Sequence, residues 1–128
     1  MINISVENEY SKIEKVVLGI AYDFGPLPKI NDCYDPKTRL NVINNSHPAE
    51  KELTNNLDSF ISVLKKYDVE VLRPQNINST NQIFARDIAF AINDKFILPN
   101  IINERKSEQY GISKIISQID SKNIIRLD

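Results

Sequence analysis

The sequence predicts an α+β domain, and two observations carry that prediction. The stretch Phe84–Leu98 reads as a hairpin, and two stripes of apolar residues at helical spacing each run into a short β-branched segment. The segment order is strand, helix, strand, then hairpin, helix, strand. The second half is thus a β-β-α-β unit and the first half a looser version of it, a weak internal repeat of roughly 50–70 residues per unit.

Ile4–Val6 begins as a short extended arm, and Asn8-Glu9-Tyr10 reads as a turn. Lys12–Gly19 reads as the first strand, turning fully apolar before it stops at Gly19. Residues 20–47 form a long connection broken by Pro26, Pro28 and Pro36, in which regular structure is not expected. Loops of that length in compact domains tend to be functional, and this one carries Tyr22, Asp23, Asp32, Cys33, Tyr34 and Asp35. Taken singly, each of these reads as part of a solvated loop. Pro48 suits the first turn of a helix, with Ser46 or His47 as its cap. Leu53, Leu57, Phe60, Ile61 and Leu64 make the apolar stripe of that helix, and Lys65 and Lys66 favour its C-terminal end. Asp68 stands where Gly or Asn would close the helix more easily. Val69–Leu72 is the next strand, stopped by Pro74.

Within the hairpin, Ile88, Phe90 and Ile92 alternate with Ala89 and Ala91, and Asn93-Asp94 supplies the turn before Lys95–Leu98. Both strands read as buried. Arg86 and Asp87 therefore enter an apolar strand as a charged pair and need partners, since burying a lone charge costs several kcal/mol. From the residues alone they form a local ion pair or a strand-end cap. Glu104–Ile119 reads as one helix with Ile112, Ile115, Ile116 and Ile119 on its buried face, weakened by Gly111 by roughly 1 kcal/mol relative to alanine. Arg105 lies in its first turn, where the helix dipole disfavours a cation. It reads either as a partner for an anion or as an i,i+3 pair with Glu108 on a solvated face. Ile124–Leu127 is the last strand.

The 128 residues, 41% of them hydrophobic, suffice for one ordinary core. A net charge of −1 with interspersed signs gives no basic patch for nucleic acid. The single cysteine permits no internal disulfide, which fits a reducing compartment. No basic stretch followed by an apolar run opens the chain, and no apolar run approaches the roughly 20 residues that span a bilayer. The expectation is a cytoplasmic protein without membrane association.

These residues resemble the N-terminal part of the guanidine-modifying enzymes, and among them the amidinotransferases. The likeness lies in Val6–Tyr10 followed by Ile13–Gly19, in Leu64–Asp68 with Val69–Pro74, in Phe84-Ala85-Arg86-Asp87-Ile88 with the turn Asn93-Asp94-Lys95, and in Glu104–Glu108. It covers nearly the whole chain. It implies the pentein fold, an α/β propeller of five β-β-α-β modules around a substrate channel. This chain would be a single partial domain (1–128) holding two modules, about 1–74 and about 81–128. Family members often carry Gly at the position of Asp68.

The resemblance implies that Asp87 grips the substrate guanidinium, because a planar guanidinium is read by a bidentate carboxylate. It implies that Arg105 helps hold the substrate carboxylate and that Asn81 makes a polar contact; both roles come from the arginine-handling branch. Arg86 is expected to be structural. The family reaction uses a cysteine that attacks the guanidinium carbon to form an amidino-thioether, and a histidine that moves protons. Neither Cys33 nor His47 matches those motifs, so no catalytic residue is expected in this chain. No metal or cofactor is expected. The expected ligand is a guanidino compound such as arginine, and the expected protein partners are missing C-terminal modules or further copies of the chain. The resemblance leaves three activities open: amidino transfer, guanidine hydrolysis of the deiminase or dimethylargininase type, and binding without catalysis.

Overall fold

The computed structural model describes residues 1–127 as two small sheets flanked by helices. Strands β1 (Lys15–Val17) and β2 (Glu70–Leu72) pair in parallel, with Val16 opposite Val71 and an ion pair of 2.7 Å from Lys15 to its cross-strand partner Glu70. Strands β3 (Phe90–Ile92) and β4 (Lys95–Leu98) form an antiparallel hairpin, and β5 (Ile124–Arg126) adds to β4 in parallel. The second half is thus a β-β-α-β unit, as its pattern predicts. The first half is a β-α-β unit whose connection carries more helix than expected.

That extra helix corrects the reading of residues 20–47 as irregular. Helix α1 (Pro36–Ile43) lies inside the connection, preceded by a 3-10 turn at Ile30–Asp32. The Asp35 carboxylate accepts from the Thr38 N–H at 2.6 Å, and Pro36 occupies the first helical position, where its missing N–H costs nothing. The capping hydrogen bond from the Thr38 N–H holds the Asp35 carboxyl below its ordinary range. Pro36 starts a helix here rather than breaking one.

Helix α2 (Glu50–Lys66) begins two residues later than Pro48 suggests, and neither Ser46 nor His47 caps it. His47 instead lies against Phe24 with ring centroids 5.9 Å apart. The C-terminus of α2 closes as the apolar pattern requires. Asp68 takes φ +58°, its N–H bonds to Lys65, and the Val69 N–H reaches back to the Leu64 carbonyl at 3.1 Å. At the hairpin tip Asn93 takes φ +50°, and the N-terminal arm clamps it through reciprocal bonds of 2.8 and 2.7 Å between Val6 and Asn93.

The core belongs to the second half. Ile88, Ala89, Phe96, Leu98, Ile112, Ile115 and Ile119 form one buried cluster, and Ile4 of the arm completes it. The hairpin strands are not buried on both faces as expected. Ala91 faces the core with Phe96 and Ile124, while Phe90 and Ile92 point outward and are exposed. The small side chains face inward because Phe96 and the helical isoleucines already fill the space beneath them.

The predicted helix over 104–119 is broken into a 3-10 turn (Asn103–Arg105), α3 (Glu108–Gly111) and α4 (Ser113–Ile116). Gly111 explains part of the break. A Cβ there would collide with the side-chain amide of Gln82 and crowd the Gln75 carbonyl. That amide is buried, donating to the Gln75 carbonyl at 2.9 Å and accepting from the Ile77 N–H at 2.8 Å. The Gly111 carbonyl in turn accepts from the Gln75 N–H at 2.7 Å. Helical propensity favours alanine at 111, but the packing forbids it. Gly111→Ala is expected to lower stability by about 1–3 kcal/mol in urea denaturation, opposite in sign to the propensity effect.

Candidate functional site

The turn before β3 builds the site. Ala85–Asp87 coil into a single 3-10 turn, with the Asp87 N–H bonded to the Phe84 carbonyl at 3.1 Å. Ile88 and Ala89, directly after it, are buried in the core. Gln109 of α3 holds the same segment from the helix side, donating to the Ile88 carbonyl at 3.1 Å and to the Pro99 carbonyl at 3.3 Å. Asp87 therefore leaves a fixed backbone. Its side chain is 37% exposed, so it is anchored yet reachable from solvent.

Arg105 is the partner of Asp87. Its Nη1 donates to Asp87 Oδ2 at 2.7 Å, and its Nη2 lies 3.5 Å from the Phe84 carbonyl. Its other edge makes a two-point contact with Glu108, Nε to Oε1 and Nη2 to Oε2, both at 2.7 Å. The i,i+3 pairing of Arg105 and Glu108 is thus present, but not on a solvated face: the Glu108 side chain is only 6% exposed. The hydrogen bonds to Glu108 are the main reason that the Arg105 guanidinium is held above its ordinary pKa; burial opposes this and the bond to Asp87 adds to it. Arg105 is a cation under all accessible conditions.

The second oxygen of Asp87 is less firmly engaged. Arg86 Nε lies 3.4 Å from Oδ1, at the end of a side chain that is almost wholly in solvent. Two carboxylates facing the single well-held guanidinium of Arg105 leave the cluster one negative charge in excess, before the solvated Arg86 is counted. The long connection also reaches this region. Partial burial pushes the Tyr34 phenol above its ordinary value, and the charges of Arg105 and Glu108 act on it in opposite directions.

The structure brings together Asp87 and Arg105 of the three expected substrate-binding residues. Asn81 is exposed, with its side-chain oxygen accepting from the Ile83 N–H at 3.2 Å in a local turn. Sequence reasoning missed the burial of Glu108. An acidic residue three positions after an arginine is common on solvated helices, and nothing local marks this one as covered. Cys33 and His47 remain in the first connection. The Cys33 thiol donates to the Lys29 carbonyl at 3.3 Å, and His47 Nδ1 lies 3.2 Å from the Pro48 carbonyl. Asp23 in that connection ties two loops together, accepting from the Asn76 amide at 2.8 Å. Among the described residues no cluster of His, Cys, Asp and Glu is placed to hold a metal ion, and no helix is long and apolar enough to cross a membrane.

This architecture is an amidinotransferase-like fold. The inosamine-phosphate amidinotransferase StrB1 from Streptomyces griseus superposes with a TM-score of 0.70 at 16% identity, over 98% of this chain and 43% of that one. SxtG, an amidinotransferase from Microseira wollei in the saxitoxin biosynthetic pathway, superposes with a TM-score of 0.70 at 15% identity, over 98% of this chain and 42% of that one. The chain thus spans less than half the length of either enzyme. No protein-family profile matches the sequence, and no curated protein matches it.

The two carboxylates of the cluster are separable by stability. Glu108→Ala leaves a buried guanidinium edge unpaired and is expected to cost roughly 2–3 kcal/mol, reduced from the full buried-pair value because Arg105 keeps Asp87. Asp87→Asn, at a half-exposed pair, is expected to cost about 1 kcal/mol or less. Urea denaturation of the two variants checks the order.

Proposed function

We propose that this chain forms part of an amidinotransferase-type substrate site and that Asp87 is the carboxylate that receives the substrate guanidinium. The observation that carries this reading is the contact between Asp87 and Arg105. Asp87 already accepts a guanidinium N–H at 2.7 Å while its side chain stays 37% exposed. Its outer oxygen, faced by the solvent-exposed Arg86 at 3.4 Å, is the position that an external guanidinium would take. On this reading Arg105 orients Asp87 rather than gripping the substrate carboxylate, since the acidic groups of Asp87 and Glu108 beside it would repel that carboxylate. A cationic ligand would take the place of the solvated Arg86 beside the outer oxygen of Asp87.

Amidino transfer from an arginine-like donor to an amine acceptor requires a thiolate that bonds to the guanidinium carbon as the donor amine leaves with a proton. The acceptor amine then displaces the thiolate. Cys33 and His47 each contact a local backbone carbonyl, and neither matches the family's nucleophile or proton-carrier motif. The chain therefore supplies part of the guanidinium grip, as two modules of the five-module propeller, and the nucleophile comes from elsewhere. Hydrolysis of the same guanidinium would use the same grip and differs only in the acceptor.

Calorimetry with arginine tests the grip. The expected result is measurable heat for the unaltered chain, at least about tenfold weaker binding for Asp87→Ala, and retained or strengthened binding for Arg86→Ala. Equal heats for the unaltered chain and Asp87→Ala would remove Asp87 from the site. Incubation of the 128-residue chain with arginine and an amine acceptor is expected to yield neither ornithine nor citrulline. Ornithine formed by this chain alone would mean that the nucleophile is present in it.

A further inference from the structure

Among the described residues, Glu108 is the one charged side chain that is buried. Its carboxylate gives both oxygens to Arg105, Oε1 to Nε and Oε2 to Nη2, each at 2.7 Å. Two parallel N–H···O bonds fix the plane of a guanidinium as well as its position. Arg105 then meets Asp87 through a single bond, from Nη1 to Oδ2 at 2.7 Å, while Nη2 also lies 3.5 Å from the Phe84 carbonyl. Burial accounts for this division. The Glu108 side chain is 6% exposed and that of Asp87 37%, so the charge pair with Glu108 is the less screened and takes the two-point contact. Asp87 Oδ1 is left without a bond to Arg105, and the solvated Arg86 lies 3.4 Å from it.

We propose that Glu108 is a positioning residue for guanidinium binding: by holding Arg105 in a two-point contact it limits Arg105 to one oxygen of Asp87 and keeps the other open to a ligand. The proposal rests on the reading of Asp87 as the carboxylate that receives the ligand guanidinium. Without the Glu108 charge, the Arg105 guanidinium has a free fork of N–H groups beside the one carboxylate left to it. A guanidinium fork and a carboxylate pair at two points by preference. Arg105 would then close on both oxygens of Asp87 and take the place of the ligand. Glu108 touches no ligand on this account and acts through Arg105. The affinity of the site therefore depends on a buried carboxylate that the ligand never meets.

Calorimetric titration of the 128-residue chain with arginine, joined to NMR of the Arg105 Nε–H group, tests the proposal. Glu108→Gln keeps the size of the side chain and removes its charge, and is expected to weaken arginine binding at least about tenfold. Glu108→Asp keeps the charge and loses less. Adding Arg105→Lys to Glu108→Gln restores binding to within about threefold of the unaltered chain, because an ammonium is a point charge that does not span both oxygens of a carboxylate. A merely structural role for Glu108 gives no such recovery. In the unaltered chain the Arg105 Nε–H resonance stays in place as arginine saturates the site, since Glu108 keeps its hold. That readout needs no variant to fold. Glu108→Gln binding arginine as tightly as the unaltered chain overturns the proposal. So does a double variant that binds no better than Glu108→Gln, or an Arg105 Nε–H resonance that moves to the position of a solvated arginine on saturation. Each of these leaves the assignment of Asp87 standing, whereas equal heats for the unaltered chain and Asp87→Ala remove that assignment and the proposal with it.

Discussion

Gln82 is where the two halves of the molecule are joined. Its backbone carbonyl accepts from the Ile20 N–H at 3.1 Å, just past the end of β1. Its side-chain amide donates to the Gln75 carbonyl and accepts from the Ile77 N–H, both in the segment leaving β2. The Gln75 N–H then bonds to the Gly111 carbonyl of α3. The segments following both first-half strands are thus bonded to one residue, Gln82, through its backbone carbonyl on one side and its buried side-chain amide on the other. Burying that amide is tolerable only because both its oxygen and its nitrogen are satisfied, and the missing side chain at Gly111 leaves the room for it. Asp87 is five residues further along, so the candidate site inherits its position from this junction.

The halves depend on each other unequally. The second half has a real core, to which the N-terminal arm contributes Ile4. The first half has a long amphipathic helix over a two-stranded sheet, and none of the helix's residues is fully buried. A two-stranded sheet offers too narrow a face to cover such a helix, so much of its apolar stripe stays half exposed. The arm runs the other way: it starts the chain yet bonds to the hairpin tip and to the segment after α4, with the Ile2 N–H on the Gln118 carbonyl at 2.7 Å.

Arg105 gives the site its character. A guanidinium held on two sides, by a buried carboxylate and by a reachable one, is fully committed as a donor and fixes the direction in which Asp87 points. Such an arrangement pairs one guanidinium with a buried carboxylate and a partly exposed one. Glu108 neutralises Arg105 out of reach of solvent, and Asp87 meets Arg105 through one oxygen while the solvated Arg86 lies 3.4 Å from the other. The amidinotransferase-like backbone is retained at 15–16% identity, which leaves the path of the chain, rather than its side chains, as the shared feature.

What the sequence determined by itself was local. Alternation and turn chemistry placed the hairpin and its Asn93-Asp94 tip, the apolar stripe placed the body of α2, and Asp68 was legible as standing at the closing position, where Gly or Asn would be easier. The Asp87–Arg105 pairing was half legible. Both residues stood out as charges needing partners, but the side that each would face was not written in its neighbours. Asp35-Pro36 was a helix start read as a break, because proline signals either until the capping bond is known. Only the tertiary structure decided that Phe90 and Ile92 face outward and alanines inward, that Glu108 is buried, and that Gly111 makes room for Gln82. Periodicity reports which residues share a face. Which face is covered depends on residues distant in sequence that fill or vacate the space beside it.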